Sequence, residues 1–309
     1  MNKILLTGGS GFVGQAILRD PTFFDSINLG RNRPDNCKNF VHTCFAEDED
    51  YSKILEDIDV IVHSAARAHI MSDSAADPLE EYRRFNTDVT LNLAKQAARK
   101  GVRRFIFISS VKVLGERTVP GNAFSHCDIP DPKDPYSLSK LEAEEGLRKL
   151  ALETSLEFVI IRPPLVYGRG VKGNVARLQE LISKEIPMPL KSIQNVRSLL
   201  SVENLVDVIR ICLTNDKAKN ETFLVSDDCD LTTSEIISLL AKSGGYKDKT
   251  FYFPKKLIKL SLSILGKRAL YDRLFGSMQV DITHTKNALN WSPFLSPEAC
   301  IKNCWLKDI

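Results

Sequence analysis

The sequence predicts an α/β fold, a doubly wound parallel sheet with a smaller, mostly helical C-terminal lobe. Three observations predict it. Short apolar runs alternate with longer helical patterns through the first half of the chain. A glycine-rich turn follows the first of those runs directly. After about Tyr167 the alternation lapses into proline- and glycine-punctuated segments with shorter helices.

The expected strands span residues 3–7, 26–29, 40–45, 59–63, 104–109 and 157–162, and the clearest helices span 78–100 and 137–154. The first of these helices stops at Gly101, a residue suited to ending a helix. Repeated strand–helix–strand alternation calls for parallel strands covered by helices on both faces. Proline and glycine cluster over 162–173 and 186–190, and shorter helices are expected over 174–184, 203–214, 234–243 and 297–307. Residues 1–166 therefore read as one domain, to which strands near 198–226 return, and 167–309 as the second lobe.

With 309 residues, 43% hydrophobic and 26% charged, the chain can build an ordinary buried core. A net charge of +3 with no basic block argues against a nucleic-acid partner. The seven cysteines are scattered, odd in number and lack a C-x-x-C pair. Neither a disulfide framework nor a metal site is expected, and reduced thiols of a cytoplasmic protein are. The run Ile4-Leu5-Leu6 is too brief for a signal peptide. The most lipid-like stretch, 257–265, is too short to span a bilayer, so no stable membrane insertion is expected. Lysines at 255, 256, 259 and 267 would let it lie on a membrane surface, but a packed amphipathic helix is the preferred reading.

The glycine turn reads Gly8-Gly9-Ser10-Gly11-Phe12-Val13-Gly14, placed between the first expected strand and a helical pattern. Both Gly9-x-Gly11-x-x-Gly14 and Gly8-x-x-Gly11-x-x-Gly14 spacings are present. Glycine serves three needs of a dinucleotide site: a tight turn, close approach of backbone to a pyrophosphate, and close packing of helix on strand. The helix N-terminus then offers N–H groups to the phosphates. The sheet is thus expected to be Rossmann-type. At the end of the second strand, where an acidic residue would hold the adenosine ribose of NAD, the chain reads Asn28-Leu29-Gly30-Arg31-Asn32-Arg33. Two guanidiniums without a carboxylate favour the 2′-phosphate of NADP(H). NAD(H) is the alternative, with Arg31 and Arg33 as solvated loop charges.

A second constellation begins the helix after the proline-rich loop 129–135. Tyr136 and Lys140 stand four apart and share one helical face. A free phenol ionises near about pH 10, and a neighbouring cation lowers that value, so the pair suits proton transfer. Ser109 and Ser110 end the fifth expected strand at the carboxyl edge, where open α/β sheets bind ligands.

These pieces resemble the extended short-chain dehydrogenase/reductase family, and within it the sugar-nucleotide epimerase and dehydratase group. The resemblance runs through residues 7–14, Val62-His63-Ser64-Ala65-Ala66, Asn86, the stretch 107–115, Pro135-Tyr136-x-x-Ser139-Lys140, Arg162-Pro163-Pro164 and Val166-Tyr167-Gly168. It continues in Arg197, Val202-x-Asn204-Leu205 and Leu289-Asn290-Trp291-Ser292-Pro293. It implies that Gly8, Gly11, Phe12, Val13, Gly14, Ala65 and Ala66 line the dinucleotide, together with Arg31, Arg33, Tyr136 and Lys140. It also implies that Tyr136 is the general acid/base, Lys140 holds the nicotinamide ribose and Ser110, in preference to Ser109, is the catalytic hydroxyl. Lys112, Asn174, Arg197 and Arg273 would contact the substrate, the last three through the diphosphate of a UDP-sugar. Residues 167–309 become the substrate lobe, and the helices over 78–100 and 137–154 match those that pair in family homodimers.

Family dehydratases carry an Asp-Glu pair after the catalytic serine, whereas Ser110 is followed by Val111-Lys112-Val113, which disfavours dehydration. Two activities remain. The arginines at 31 and 33 tilt the reading toward an NADP(H)-dependent reductase acting on the 4-keto group of a UDP-4-keto-6-deoxy-N-acetylhexosamine, in surface-polysaccharide sugar synthesis. Arg67-x-His69, Val171-Lys172-Gly173-Asn174 and Pro187-x-Pro189-Leu190 resemble that branch. An NAD-dependent UDP-hexose or UDP-N-acetylhexosamine 4-epimerase is the alternative. A non-catalytic dinucleotide-binding regulator is the alternative of another class, disfavoured by the intact Ser110, Tyr136 and Lys140.

Overall fold

A computed structural model describes residues 2–68, 77–119, 121–264 and 274–306. Seven parallel strands form the main sheet in the order β3-β2-β1-β4-β5-β6-β9. They are β1 (Ile4–Thr7), β2 (Ile27–Gly30), β3 (Asn39–His42), β4 (Val60–His63), β5 (Arg104–Ile108), β6 (Glu157–Arg162) and β9 (Glu221–Leu224). Strand order reverses direction between β1 and β4, so a crevice opens at their carboxyl ends. Thr7 lies level with both Leu29 and His63, which brings the ends of β2, β1 and β4 to one edge. The third expected strand, 40–45, is displaced toward the amino end. The chain turns at Phe45, whose φ of 56° lies in the left-handed region. A second sheet pairs β7 (Leu165–Tyr167) with β8 (Leu199–Ser201).

The residues of each strand alternate between two cores. Leu6, Val60, Val62 and Ile106 face one side, where they pack with helix α6 (Val202–Cys212) through Leu205 and Ile209. Leu5, Ile61, Phe105, Phe107 and Ile160 face the other. There they meet Leu93 and Ala97 of helix α3 (Val89–Arg99) and Ala143 and Leu147 of helix α4 (Pro135–Glu153). A third core belongs to the C-terminal lobe and holds Val175 and Ile182 of helix α5 (Asn174–Ser183) with Ile237 and Leu240 of helix α7 (Thr233–Ser243). Phe12, in helix α1 (Phe12–Arg19), packs against both the first and the third core.

Two of the helices depart from expectation. The helix over 78–100 is interrupted: α2 (Pro78–Arg83) passes through a π-helical turn, Arg84–Asp88, before α3 begins. Within this turn the side chains of Asn86 and Thr87 point inward and bond to Ser139. Helix α8 (Lys255–Ile264) is amphipathic as expected, but only partly packed: Ile258 is buried, while Leu257, Leu260 and Ile264 lie on the surface. Among the described residues no helix is long and apolar enough to cross a membrane. The last expected helix shortens to Pro297–Cys300, continued by a 3₁₀ turn over Ile301–Trp305.

Residues of the terminal motifs serve as ties. Asn290 adopts the left-handed conformation that ends the helix Thr283–Leu289. Trp291 donates from its indole to Asp207 at 2.9 Å and so fixes the chain end to α6. At the amino edge the fully buried Arg104 donates to Glu157 at 2.8 Å and to the carbonyls of Cys212 and Asn215 at 2.7 and 2.9 Å. One guanidinium thus joins β5, β6 and the end of α6. Replacing Arg104 with Leu strands two buried carbonyls and leaves Glu157 to the longer contacts of Arg103 and Lys219 at 3.4 and 3.5 Å, and urea denaturation should show a loss of about 2–4 kcal/mol. A loss below about 1 kcal/mol would mean that water, Arg103 and Lys219 substitute for it.

Candidate active site

The glycine turn lies at the switch point between β1 and β4. Gly8 has φ +75°, and a side chain there would meet Ala65 N at 2.6 Å. Ala65 N in turn donates to the Thr7 hydroxyl at 3.2 Å, so the turn and the loop after β4 close on each other. A side chain at Gly14 would stand 2.1 Å from Gly8 O and 2.5 Å from Gly9 Cα. The turn therefore presses directly on α1, whose N-cap Gly11 supplies no side-chain cap. Its first N–H groups stay available to an anion. Beneath Gly9 lies Asn28, a buried amide whose two polar atoms have no hydrogen-bond partner among the described residues. A tight glycine cradle, uncapped N–H groups and an unsatisfied amide together fit a dinucleotide phosphate. Phe12 and Val13 are half-buried at the start of α1, and Ala66 is exposed beyond Ala65.

The structure separates the two arginines after β2. Arg31 stands over the Phe85 ring at 5.6 Å. Arg33 instead donates to the carbonyls of Cys37 and Lys38, both at 3.2 Å. It lines a cleft with Lys3, Asp25 and Asn39 toward the amino ends of the strands. The expected two-arginine clamp on a 2′-phosphate is therefore not assembled, because Arg33 is engaged by its own loop.

Helix α4 carries the second constellation. Asp134 caps it with a reciprocal bond to Ser137, and Pro135 occupies its first turn, so its start is tightly defined. Tyr136 follows, half-buried, with the Ser110 hydroxyl facing its phenol and the Tyr82 ring edge-on at 6.1 Å. Burial, with the negative charge of Asp134 adding to it, raises the phenol above its ordinary value, while Ser110 opposes the rise. Lys140 is fully buried, donates to the carbonyl of Ile108 at 2.8 Å and lies 4.4 Å from the Phe107 ring centre. The ammonium is thus held under the end of β5, and burial, opposed by Glu144, lowers its pKa to about 7. The expected depression of the phenol by Lys140 is not what this arrangement produces; burial governs both groups.

The two serines also divide. Ser109 donates to Glu144 at 2.6 Å and faces inward, whereas Ser110 faces Tyr136. Glu144, fully buried, further accepts from Arg162 Nε at 3.0 Å and from Arg148 at 3.2 Å. Sequence reasoning gave Glu144 no role, although its place four residues after Lys140 was a readable signal. It likewise missed Asn28 and the interior bonding of His63. That imidazole bridges the hydroxyls of Thr7 and Thr90, each at 2.9 Å, and stacks near Phe107.

The expected substrate residues within the described chain are spread over three segments. Lys112 forms an ion pair with Asp134, the cap of α4. Asn174 is exposed at the start of α5, and Arg197 is half-buried and donates from Nε to the carbonyl of Gly276 at 3.1 Å. Val175 beside the first and Leu231, bridged to Arg197, belong to the same lobe core. Arg273 and His69 lie outside the described residues.

The family model described as "NAD dependent epimerase/dehydratase family" matches residues 4–226. A Vibrio cholerae protein named UDP-glucose 4-epimerase is 46% identical over 298 residues, spanning 94% of this chain and 90% of its own. Among solved structures, MoeE5 in complex with UDP-glucose and NAD superimposes with a TM-score of 0.78 at 18% identity, covering 98% of this chain and 97% of its own. A UDP-N-acetylglucosamine 4-epimerase from Bacillus cereus gives 0.79 at 18% identity, covering 98% of both chains. At such identity the structural likeness speaks for the fold.

Two measurements probe the site's construction. Gly14→Ala forces backbone atoms apart, so it should weaken NADH binding at least about tenfold in a fluorescence titration and cost about 1–3 kcal/mol of stability. Unchanged binding would place the dinucleotide elsewhere. Burial, with Lys140 adding to it, lowers the His63 pKa from 6.5 to about 3. Between these values the unfolded chain binds a proton that the folded chain does not. Stability therefore falls as pH drops below about 6.5. His63→Gln should flatten the slope of urea-derived stability between pH 4 and 6 by up to about 1.4 kcal/mol per pH unit.

Proposed function

This chain belongs to the NAD-dependent epimerase/dehydratase family, and on that premise we propose that it interconverts the C4 epimers of a UDP-hexose or UDP-N-acetylhexosamine with NAD as cofactor. The single observation that carries the reading is the meeting of Ser110 and Tyr136 at the carboxyl edge of β5, with Lys140 held beneath. The expected reduction of a 4-keto-6-deoxy sugar by NADPH gives way to it for two reasons. The 46% identical relative bears the name of an epimerase. The Arg31–Arg33 pair, the main argument for NADPH, is parted, with Arg33 bonded to its own loop.

In this reading Gly8, Gly11 and Gly14, with the N–H groups of α1, hold the pyrophosphate, and Ala65 and Ala66 border the dinucleotide. Bound NAD supplies the two-electron oxidant and reductant, and its oxidised ring brings a positive charge that favours the phenolate. The chain handles the proton. Tyr136 accepts it from the C4 hydroxyl as that carbon is oxidised and returns it when the carbon is reduced. Ser110 hydrogen-bonds O4 and steadies the charge that develops there. Lys140, held by the Ile108 carbonyl one turn from the phenol, holds the nicotinamide ribose. Asn174 and Arg197 grip the diphosphate, leaving the hexose free to present either face. The carbonyl of Gly276 takes Arg197 Nε, so the remaining guanidinium nitrogens serve the phosphate.

Purified protein supplied with UDP-glucose or UDP-N-acetylglucosamine and NAD should yield the galacto epimer, read by NMR, with no net consumption of reductant. Tyr136→Phe should bind NAD normally and turn over at least about a hundredfold more slowly. Product formed only from a 4-keto sugar, with stoichiometric loss of NADPH, would restore the reductase reading. NAD binding without turnover of any UDP-sugar would favour the regulator.

A further inference from the structure

We propose that the surface formed by Phe251–Phe253 and helix α8 docks the protein on a membrane of anionic phospholipid. From Lys249 to Ile264 the chain has no Asp or Glu, four lysines (249, 255, 256 and 259), and an apolar or aromatic residue at most of the remaining positions. The structure turns much of that apolar content outward. Tyr252 is 73% exposed and Ile264 76%, with Leu257 and Leu260 about half exposed between them. Leu257, Leu260 and Ile264 follow the i, i+3, i+7 spacing of one helical stripe. Isolated surface leucines need no explanation, but a contiguous apolar strip bordered by lysines does.

The strip is built, not loose. Phe251 donates its N–H to Met188 O at 3.0 Å and accepts from Lys191 N at 3.2 Å, and the carbonyl of Phe253 accepts from Ser192 Oγ at 2.8 Å. The backbone of this segment is bonded inward to the lobe, and Ile258 anchors the helix in the interior. The aromatic rings and leucines therefore stay outward while the element is held. Aromatic residues at headgroup level, aliphatic residues below them and lysines alongside make up the chemistry of an interfacial helix.

Charge selects the occupant. A second copy meeting this one through the same face would set one lysine-bearing face against another, with no carboxylate between Lys249 and Ile264 to pair them. An anionic lipid surface offers both the apolar layer and the opposite charge. The inference is independent of the substrate reading.

The test is co-sedimentation of the full chain with vesicles of mixed phosphatidylcholine and phosphatidylglycerol, and with phosphatidylcholine alone. The protein should sediment with the mixed vesicles, bind the neutral ones at least about tenfold less, and come off as salt rises. The double variants Leu260→Asp/Ile264→Asp and Lys255→Glu/Lys256→Glu should each lose at least about nine-tenths of the binding, while NAD binding and turnover stay at wild-type levels. Wild-type protein left in the supernatant with both vesicles overturns the proposal. So does vesicle binding unaltered by both variants, or a vesicle-free assembly that the leucine variant dissolves, which would make the strip a contact between copies. Should the leucine variant fail to fold, the lysine variant, altered only at exposed ends, decides.

Discussion

Glu144 sits at full burial in the middle of α4, and a carboxylate there is tolerable only because it is surrounded. Ser109, Arg148 and Arg162 all donate to it, from just past the end of β5, from its own helix and from β6. An unpaired buried carboxylate would cost several kcal/mol, so the three donors and the acceptor stand or fall together. The consequence reaches the chemistry. The network locks the turn of α4 that carries Lys140 to the ends of two central strands, and Lys140 meets the carbonyl of Ile108 in the same layer. The phenol one turn earlier inherits its position from that lock.

A second buried carboxylate does for the lobe what Glu144 does for the sheet. Asp227 accepts from the Tyr167 hydroxyl at 2.7 Å, from Asn204 Nδ2 at 2.7 Å and from Ser201 N at 2.9 Å. Burial raises its pKa even so. Its partners come from the ends of β7 and β8 and the start of α6. The two-stranded sheet is thereby pinned at the edge where the main sheet opens, and Phe12 fills the space between the two cores. Asn174 and Arg197 are carried on segments that share the lobe core.

Much of this was readable in the sequence because it rests on local rules. Continuous apolar runs and punctuating glycines located six strands of the main sheet, and the glycine turn located its switch point. The pairing of Tyr136 with Lys140 on one helix face follows from spacing, and the strand end offered Ser109 and Ser110 alike, with only the resemblance preferring Ser110. What spacing could not show was side-chain direction in three dimensions. Arg31 and Arg33 are two residues apart, and only the fold of the 31–39 loop sends one toward Phe85 and the other to the carbonyls of Cys37 and Lys38. Lys112 was read as free for substrate, but the turn after β5 brings it to Asp134. The inward bonds of Asn86 and His63 link residues 19 or more positions apart, and no periodicity records them.

The wide turn at 84–88 carries a lesson about length. A π turn holds one residue more than the α-helix around it. Dropping a single residue here would let ordinary i→i−4 bonding run from Pro78 to Arg99 and would suit the isolated helix. It would also swing Asn86 by about 100° around the axis, breaking its bonds to Ser139 and to both backbone groups of Arg67. The segment thus keeps a locally unfavourable insertion because that residue count alone brings an amide to face α4.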